Sequence, residues 1–414
     1  MLIGAIADDL TGATDLGVNL TREGLSVIQA NGVPDHDLPP ADAVIVALKS
    51  RTIPPDDAVA QSLAWLRERG AERIYFKYCS TFDSTPRGNI GPVTEALQEA
   101  LGAGIVPTTP AYPRTERTVY RGHLFVGDLL LSQTGMRHHP LTPMTDANLV
   151  TLLGAQARGR VGLVAFDAVH AGTAAVRARL AALEHQGFRH AIVDAVDDRH
   201  LEAAALAFAE LPLCAGGAGL GVGLARALRA APKVSNDAWA RPDTVPATAW
   251  LFGSCSEATR RQLESARSQD GGVCLRLDPL ALAADPGHAA RIAAQAAQNV
   301  GSRPVIVYAT AGPKDIAAAQ SALGAARVAI LVENAFRTVA RSLVAAGARA
   351  FIVAGGETAG AVVDALGVHA LAIGPEIDPG VPWTRALSGP PLWLALKSGN
   401  FGSDEFFMRA TRGL

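Results

Sequence analysis

Residues 2–15 have the sequence LIGAIADDLTGATD, in which an apolar run meets a pair of aspartates. The run Leu2–Ala7 shows no polar alternation, which is typical of a strand buried on both faces of a sheet. Asp8 and Asp9 follow at once, and a segment with helical spacing then continues to Glu23. A strand, a polar loop and a helix in this order predict the first unit of a parallel α/β sheet.

The same pattern recurs along the chain. In the first half, apolar runs predict strands at Leu2–Ala7, Ala43–Leu48, Ile74–Tyr78, Gly162–Phe166, Ala191–Val193 and Leu211–Cys214. In the second half, they predict strands at Ala249–Phe252, Val305–Tyr308, Phe351–Ala354 and Leu392–Leu396, with Val328–Val332 as a further candidate. We therefore predict an α/β fold whose sheets are largely parallel and flanked by helices.

The length of the chain indicates two domains. Its 414 residues, 49% of them hydrophobic, exceed what one core of ordinary size holds. Residues 231–247, APKVSNDAWARPDTVPA, are polar, contain three prolines and lack periodicity, as is typical of a linker. We place the first domain at residues 1–232, the linker at 233–247 and the second domain at 248–414. Ligands are expected beyond the carboxyl ends of the strands, in a cleft between the domains.

The composition argues against several classes of protein. A formal net charge of −2 provides no strongly basic face for nucleic acid. No apolar run approaches the ~20 residues that span a bilayer, and the basic start of a signal peptide is missing, so we expect a cytoplasmic protein without a membrane partner. The four cysteines form no C-x-x-C pair, so neither disulfides nor a protein-bound metal is predicted. Alanine-rich helices would permit a homodimer.

Polar side chains follow three predicted strands of the first half. The carboxylates of Asp8 and Asp9 can accept hydrogen bonds from hydroxyl groups, and Asp8 can act as a base. The planar guanidinium of Arg51 suits a carboxylate. The aspartate pair favours a functional site because it directly follows a buried strand, whereas each of the other groups alone is equally well explained by a solvated loop or turn. Together they suit a small polyhydroxy acid. The candidate substrate-binding residues are Asp8, Asp9, Arg51, Lys77, Ser80, Thr81 and Asp83.

Glycine-rich loops follow three predicted strands of the second half, at residues 253–256, 355–360 and 397–404. Glycine lets main-chain N–H groups approach an anion, and the helix that follows adds its positive end. One such loop is weak evidence, whereas three in one half indicate a nucleotide polyphosphate. No Walker loop or G-x-G-x-x-G motif is present. Gly216–Gly223 has its glycines in another phase and could be a phosphate loop of another kind.

Several of these segments resemble the four-carbon acid sugar kinase family, and they occur in the family's order. They are IADDLTGATD at 6–15, KSRT at 49–52, KYCSTFDSTPRGNIGP at 77–92, GSCS at 253–256, GGET at 355–358 and KSGNFG at 397–402. The longest segment, together with PAYPRTERTVYRGHLFV at 110–126, most resembles the 3-oxo-tetronate 4-kinase branch. The D-threonate and L-threonate branches are less similar.

The resemblance implies an ATP-dependent kinase that phosphorylates the terminal 4-hydroxyl of a four-carbon sugar acid. It favours 3-oxo-tetronate, with D-threonate, L-threonate or erythronate as alternatives, and it implies Mg²⁺ bound with ATP. It places the acid in the N-terminal domain and the nucleotide in the C-terminal domain. Asp8 or Asp404 would orient or deprotonate the attacking hydroxyl. The candidate ATP-binding residues are Ser254, Gly355, Gly356, Glu357, Thr358, Ala359 and Gly402.

Two other classes of function are left open by the residues themselves. Lys77 at a strand end could form a Schiff base in a sugar-acid aldolase or lyase, which borohydride would trap. A non-catalytic sensor of sugar acids would also bind a polyhydroxy acid. The glycine loops argue against a sensor, because a sensor has no need of a polyphosphate site.

Overall fold

The computed structural model describes residues 1–35, 37–68, 71, 73–139, 141–228, 238–268, 273–301 and 304–414. The chain divides into two compact units, Met1–Asn236 and Asp237–Leu414. Residues 233–237 of the predicted linker lie outside the described residues, and the domain boundaries stay a prediction. No single described helix is long and apolar enough to cross a bilayer, although the helix pair Pro313–Leu323 and Ala325–Ala345, bent by 106°, meets that test jointly.

The first unit alternates strands and helices. Its elements are β1 (Ile3–Ala7), α1 (Leu10–Arg22), β2 (Val27–Asn31), β3 (Ala43–Ala47), α2 (Pro55–Glu68), β4 (Ile74–Lys77), α3 (Ile90–Ala100), β5 (Val106–Thr109), β6 (Arg117–Tyr120), β7 (His123–Val126), β8 (Leu129–Leu130), α4 (Leu149–Gly154), β9 (Arg160–Val164), α5 (Phe166–His170), α6 (Thr173–His185), β10 (Phe188–Val193), α7 (Asp198–Phe208), β11 (Leu213–Gly216) and α8 (Ala218–Ala227). Eight of these strands form a parallel sheet in the order β2-β3-β1-β4-β11-β5-β10-β9. Strands β6, β7 and β8 form a separate antiparallel sheet.

The second unit contains a mixed sheet. Its elements are β12 (Thr248–Phe252), α9 (Glu257–Arg267), β13 (Val273–Arg276), α10 (Pro279–Ala284), α11 (His288–Ala297), β14 (Val305–Tyr308), α12 (Pro313–Leu323), α13 (Ala325–Ala345), β15 (Ala350–Ala354), α14 (Gly356–Ala365), β16 (Ala370–Asp378), β17 (Val381–Ala386), β18 (Trp393–Lys397) and α15 (Phe406–Gly413). Strands β13-β14-β12-β15-β18 are parallel, and β17 and β16 continue the sheet antiparallel. Phe252 and Phe407 stack at 3.9 Å in its core.

The predicted α/β fold with largely parallel sheets is confirmed. One predicted strand is wrong, because Val328–Val332 lies inside the helix α13. Its run of aliphatic residues suits a strand locally, but the helix buries Phe336, Val339 and Leu343 on one face further along. Packing of that face decides the conformation of the whole segment. The patterns did not predict β2, β5, β13, the hairpin β16–β17 or the small antiparallel sheet.

The glycine run Gly216–Gly223 serves packing in this structure. Helix α8 starts within it, and side chains added to its glycines would overlap other elements. A Cβ on Gly219 would lie 2.6 Å from the carbonyl oxygen of Ala111, and one on Gly223 would lie 2.8 Å from that of Leu201. Both distances are shorter than real Cβ contacts. Close approach of α8 to its neighbours therefore accounts for these glycines, and a phosphate-binding role for the run stays a prediction.

Candidate active site

The carboxyl ends of three neighbouring strands, β1, β3 and β4, meet at one edge of the first sheet. The parallel register places Ala7 of β1 beside Ala47 of β3 and beside Lys77 of β4. The loops that follow these strands therefore begin along one line across the sheet. Six of the seven predicted substrate-binding residues lie just beyond this line, and Lys77 lies on it. The topology thus gathers residues that are up to 75 positions apart in the chain.

Arg51 connects three of the predicted carboxylates. Its Nε donates to Oδ2 of Asp8 and its Nη2 donates to Oδ1 of Asp8, both at 2.9 Å, which makes a bidentate pair. Nη2 also lies 2.9 Å from Oδ1 of Asp9, and Nη1 lies 3.8 Å from Oδ2 of Asp83. Burial would lower the pKa of Arg51, but Asp8 and Asp9 hold it well above its ordinary value. The guanidinium therefore stays charged at the centre of the cluster.

The two adjacent aspartates have different environments. Burial raises the pKa of Asp8, and its pairing with Arg51 only partly offsets this. Asp9 caps helix α1, accepting from the main-chain N–H of Gly12 at 2.9 Å and from Oγ1 of Thr11 at 3.0 Å. Burial would raise the pKa of Asp9 too, but Arg51 and these hydrogen bonds outweigh it and lower the pKa. Asp9 is thus fixed at the start of α1, and Asp8 is the more basic of the two. The substrate-binding role of Asp9 stays a prediction.

Lys77 lies beneath the first turn of α1. Its side chain is buried, and Nζ donates to the carbonyl oxygen of Tyr78 at 2.9 Å. A Cβ on Gly12 would lie 2.8 Å from Nζ of Lys77 and would overlap Oδ1 of Asp9. Glycine at position 12 therefore provides the space in which the ammonium and the Asp9 carboxylate approach each other. Lys77 adds a second positive charge to the acidic cluster.

The loop after β4 holds Ser80, Thr81 and Asp83 around a buried aromatic residue. Phe82 has φ of +55° and is fully buried, with its ring edge-to-face with Tyr78 at 5.4 Å. A left-handed conformation is strained for a bulky residue, and such strain persists only where the surroundings impose it. Oγ1 of Thr81 donates to Oδ1 of Asp83 at 2.6 Å, and Ser80 is half-buried beside them. Phe82 thus anchors the loop that carries the predicted polar groups.

The sequence reasoning also missed Asn89 as a positioning residue. Its Nδ2 donates to the main-chain oxygens of Ser50, of Arg51 at 3.3 Å and of Ile53 at 3.0 Å. It therefore ties down the loop on which Arg51 lies. An asparagine at a helix start reads as an N-cap, but the side chain of Asn89 makes no capping bond to α3. Its position before a helix therefore gave no indication of its contacts with the loop at residues 50–53.

In the second unit, the predicted ATP loop after β15 is an uncapped helix start. Gly355, with φ of +121°, is the N-cap of α14, and it supplies no side-chain hydrogen bond. The first-turn N–H groups of Gly356, Glu357 and Thr358 have no helical acceptor, and a Cβ on Gly356 would meet nothing within 4 Å. Ala359 differs, because it is buried and its N–H bonds the carbonyl oxygen of Gly355 at 2.8 Å. This helix start presents open N–H groups and a positive dipole end to an anion.

Ser254 lies directly against this helix start. A Cβ on Gly355 would lie 3.0 Å from the main-chain nitrogen of Ser254. The N–H of Ser254 bonds the carbonyl oxygen of Ala354 at 3.0 Å, and its own carbonyl accepts from Oγ1 of Thr310 at 2.7 Å. Its Oγ accepts from the N–H of Ser256 at 3.1 Å. The loop after β12 is therefore held rigidly beside the loop after β15.

One face of α9 and its N-cap binds the third glycine loop. Oγ of Ser256 and Oγ1 of Thr259 donate to the carbonyl oxygen of Gly399 at 2.7 and 2.8 Å. Nε2 of Gln262 lies 2.9–3.0 Å from the carbonyl oxygens of residues 401–403. These three side chains are spaced three residues apart, so they lie along one side of the helix. They turn the carbonyl groups of the loop toward α9.

The same loop leaves main-chain N–H groups open. Those of Gly399, Asn400 and Gly402 have no acceptor within the part of the chain that the structure describes. Gly402 has φ of +83°, and a Cβ there would lie 2.9 Å from Phe406, so glycine is needed for both conformation and space. Gly402, a predicted ATP-binding residue, thus lies in a second loop that is built to present N–H groups.

Lys397, which ends β18, is a buried lysine that was not predicted as part of the site. It is fully buried, and its Nζ donates to Oγ1 of Thr259 at 3.3 Å and to the carbonyl oxygen of Gly399 at 3.2 Å. Burial lowers the pKa of Lys397 to about 7. No ion pair to a carboxylate offsets this burial among the described residues. Lys397 begins the glycine-rich segment 397–404, but a lysine at a strand end usually reads as exposed, so its burial was not predicted.

Asp404, the second predicted catalytic carboxylate, lies in the second unit. It is exposed, and its Oδ1 accepts from Nε of Arg261 on α9 at 3.0 Å. The catalytic role of Asp404 stays a prediction, as does that of Asp8.

The two halves of the chain match two different family models. A family model described as a sugar-binding N-terminal domain matches residues 3–224, and one described as a nucleotide-binding C-terminal domain matches residues 249–407. Together they cover the elements that carry both groups of candidate residues.

The chain is similar over its whole length to known proteins. A 3-oxo-tetronate kinase of Cupriavidus necator is 51% identical over 422 residues, covering 100% of this chain and 97% of that protein. One of Pseudomonas fluorescens is 50% identical, covering 99% and 96%. Among solved structures, a Salmonella typhimurium LT2 protein superposes with a TM-score of 0.88 at 43% identity, covering 100% and 99%. A Haemophilus influenzae protein superposes with a TM-score of 0.81 at 43% identity, covering 99% of each chain.

Proposed function

Because the chain belongs to the four-carbon acid sugar kinase family, we propose that it transfers the γ-phosphoryl group of ATP to the terminal hydroxyl of 3-oxo-tetronate. Relatives of the same length carry the name 3-oxo-tetronate kinase, and they match the chain from end to end. The observation that carries the proposal is that two loops with open main-chain N–H groups, the start of α14 and the loop 398–403, follow the neighbouring strands β15 and β18. Neither a sugar-acid sensor nor a Schiff-base aldolase needs such a polyphosphate site, whereas a kinase does.

The acid is proposed to bind at the Arg51 cluster of the first unit. A guanidinium has five N–H donors, and Asp8 and Asp9 occupy the edge formed by Nε and Nη2. Nη1 lies 3.8 Å from Asp83, beyond a good hydrogen bond. Nη1 is therefore the group proposed to bind the substrate carboxylate. Asp8, held in place by Arg51, would accept a hydrogen bond from a substrate hydroxyl, as would Asp83.

The phosphates are proposed to bind at the start of α14 and at the loop 398–403. Phosphoryl transfer has a loose, highly charged transition state, so positioning and charge neutralisation provide most of the catalysis. Fixed N–H groups supply that neutralisation without rearrangement during the reaction. The acceptor hydroxyl must come within about 3–3.5 Å of the γ-phosphorus. Ligand binding in a cleft between the domains would meet this requirement and stays a prediction.

Mg²⁺ is proposed to enter with ATP. The described residues contain no group of three or more potential metal ligands of the His, Cys, Asp and Glu types, and the acidic cluster of the first unit is already paired with Arg51. Mg²⁺ commonly binds through substrate phosphates and water with one or two carboxylates. Two exposed carboxylates lie at the proposed phosphate-binding segments: Glu357 in the first turn of α14, and Asp404 directly after the loop 398–403. When bound, the ion would neutralise charge on the phosphates.

The test is an ATP-consumption screen of 3-oxo-tetronate, D-threonate, L-threonate and erythronate, with the site of phosphorylation read by NMR. We expect the highest kcat/KM with 3-oxo-tetronate and a 4-phosphate product. A higher kcat/KM with another acid would reassign the substrate within the same reaction. Absence of ATP consumption with all four acids would overturn the kinase proposal, and a borohydride-trapped adduct at Lys77 would then favour the aldolase.

A further inference from the structure

The second unit contains a cavity of about 330 Å³ that the phosphate-binding proposal does not use. It lies at the carboxyl ends of β12, β13 and β14, where α10, α12 and α13 cover it. Its volume falls within the roughly 300–1,000 Å³ of small-molecule pockets. Its lining residues are Gly253, Cys255, Arg276, Asp278, Pro279, Leu280, Ala309, Ala311, Asp315, Ile316, Ala318, Ala319, Gln320, Ala325, Val328, Ala329 and Val332.

The walls of this cavity are mostly alanine and aliphatic side chains. Such walls have little to donate or accept. Leu280 is one of them, and it keeps 43% of its surface exposed. Burying such a side chain against a ligand stabilises a complex. The cavity therefore suits an apolar part of a ligand.

Polar groups of the lining include an ionic cluster. Nη2 of Arg276 lies 3.4 Å from Oδ2 of Asp278 and 3.7 Å from Oδ2 of Asp315. Asp278 caps α10, accepting from the N–H groups of Leu280 and Ala281. The cluster is thus held by the helix starts around it. Apolar walls beside a few fixed polar groups are the usual composition of a small-molecule site. A nucleotide base, which has apolar faces and a polar edge, matches this composition.

The cavity adjoins the proposed phosphate site directly. Gly253 lines the cavity, and a Cβ on Gly253 would overlap Oγ1 of Thr358 in the first turn of α14. Cys255 also lines the cavity and follows Ser254, which contacts Gly355. One short loop, residues 253–255, therefore separates the open N–H groups of α14 from the apolar walls. A ligand with an anionic end and a flat apolar end could occupy both.

We propose that this cavity, here called the base pocket, binds the base of the nucleotide whose phosphates lie at the start of α14. The inference rests on the proposed function, which supplies a ligand with a polyphosphate and a heteroaromatic base. The base would lie between the walls formed by α12 and α13. Its polar edge would face the Arg276 cluster.

The test uses tryptophan substitutions at exposed alanines of two helices. Ala318→Trp on α12 and Ala329→Trp on α13 place a large ring in the base pocket. Ala317→Trp and Ala326→Trp are matched controls, since both alanines are exposed on the same helices outside the lining. Affinities for ADP and for tripolyphosphate, which has no base, are measured by calorimetry on the full chain. Urea unfolding verifies that each variant is folded.

We expect both pocket variants to bind ADP at least tenfold more weakly, while the controls stay within twofold of the unsubstituted protein. Tripolyphosphate affinity should stay within twofold in all proteins. Unchanged ADP affinity in the pocket variants would overturn the inference, as would an equal loss in the controls or a parallel loss of tripolyphosphate affinity. If tripolyphosphate binds the unsubstituted protein too weakly to measure, the difference in ADP affinity between the pocket variants and the controls is the test of the inference. If the unsubstituted protein does not bind ADP, the proposed function itself fails.

Discussion

Arg51 holds Asp8 through two parallel hydrogen bonds of 2.9 Å, from Nε to Oδ2 and from Nη2 to Oδ1. The two residues are 43 positions apart in the chain and meet because β1 and β3 are parallel neighbours. The pair fixes the direction of the Asp8 carboxylate and leaves Nη1 of Arg51 on the opposite edge of the guanidinium. A substrate carboxylate and a substrate hydroxyl can thus be recognised by one rigid unit.

Arg51→Lys is expected to weaken use of the sugar acid and to leave ADP affinity unchanged. A lysine has a single point charge and cannot bond Asp8 and a substrate carboxylate in a fixed plane. We expect the KM for the acid to rise at least tenfold, whereas the ADP Kd from calorimetry should stay within twofold. Arg199→Lys is the matched control, since Arg199 is exposed on α7. An unchanged acid KM in the Arg51 variant would show that Arg51 does not bind the substrate.

Gly356→Val is expected to abolish ATP binding and to leave the first unit folded. A Cβ at this position meets nothing within 4 Å, so the branched side chain would project into the space in front of the open N–H groups. Gly356→Ala should show the same effect more weakly, with at least a tenfold loss in ADP affinity by calorimetry.

The control for this prediction is Gly135→Ala. Gly135 is exposed in the first unit, and a Cβ there also meets nothing within 4 Å. Circular dichroism and acid binding should be unchanged in all three variants. Normal ADP affinity in Gly356→Val would move the nucleotide site elsewhere.

Lys397 should make stability depend on pH. Its pKa in the folded protein is about 7, against an ordinary value of 10.5. Between these values the unfolded chain binds a proton that the folded chain does not, so the contribution of Lys397 to the free energy of unfolding rises with pH from 7 to 10.5. Below pH 7 the full cost of charging this buried amine destabilises the fold.

Lys397→Met is expected to remove that cost. We expect the free energy of urea unfolding at pH 7 to increase, by up to about 4 kcal/mol, and its rise toward pH 10 to become flatter. Lys314→Met is the control, since Lys314 is exposed on α12. Identical pH dependence in the Lys397 variant and the unsubstituted protein would show that the amine is charged in the folded state.

Asn89→Ala is expected to loosen the loop that carries Arg51. The substitution leaves the main-chain oxygens of Ser50, Arg51 and Ile53 without their shared donor, which should cost about 1–3 kcal/mol of stability. The KM for the acid, measured where the variant is fully folded, should rise, while the affinity for ADP should not change. Asn299→Ala is the control, because the side chain of Asn299 makes an exposed hydrogen bond to the carbonyl oxygen of Gln295. It should change neither the stability nor the KM for the acid. An Asn89 variant that is less stable but has a normal acid KM would limit Asn89 to a structural role.

The sequence by itself determined the repeating units of the fold and the polar and glycine-rich residues at the ends of its strands. Leu2–Ala7 is apolar throughout and is followed by two aspartates, so both the buried strand and its polar end were readable. The glycines at 355 and 356 likewise predicted an open helix start. These features depend on local chemistry: burial requires an uninterrupted apolar run, and a close-approach loop requires glycine.

Only the tertiary structure decided which of these residues act together. The sheet register brought Arg51 onto Asp8, and long-range packing placed Val328–Val332 in a helix and assigned Gly216–Gly223 to helix contacts. Asn89, Gln262 and Lys397 have ordinary local contexts. Asn89 and Gln262 donate to carbonyl groups that are remote in the chain, and the buried amine of Lys397 donates to the remote side chain of Thr259. Hydrogen bonds and burial depend on distances in space, and a local pattern of residue types does not contain those distances.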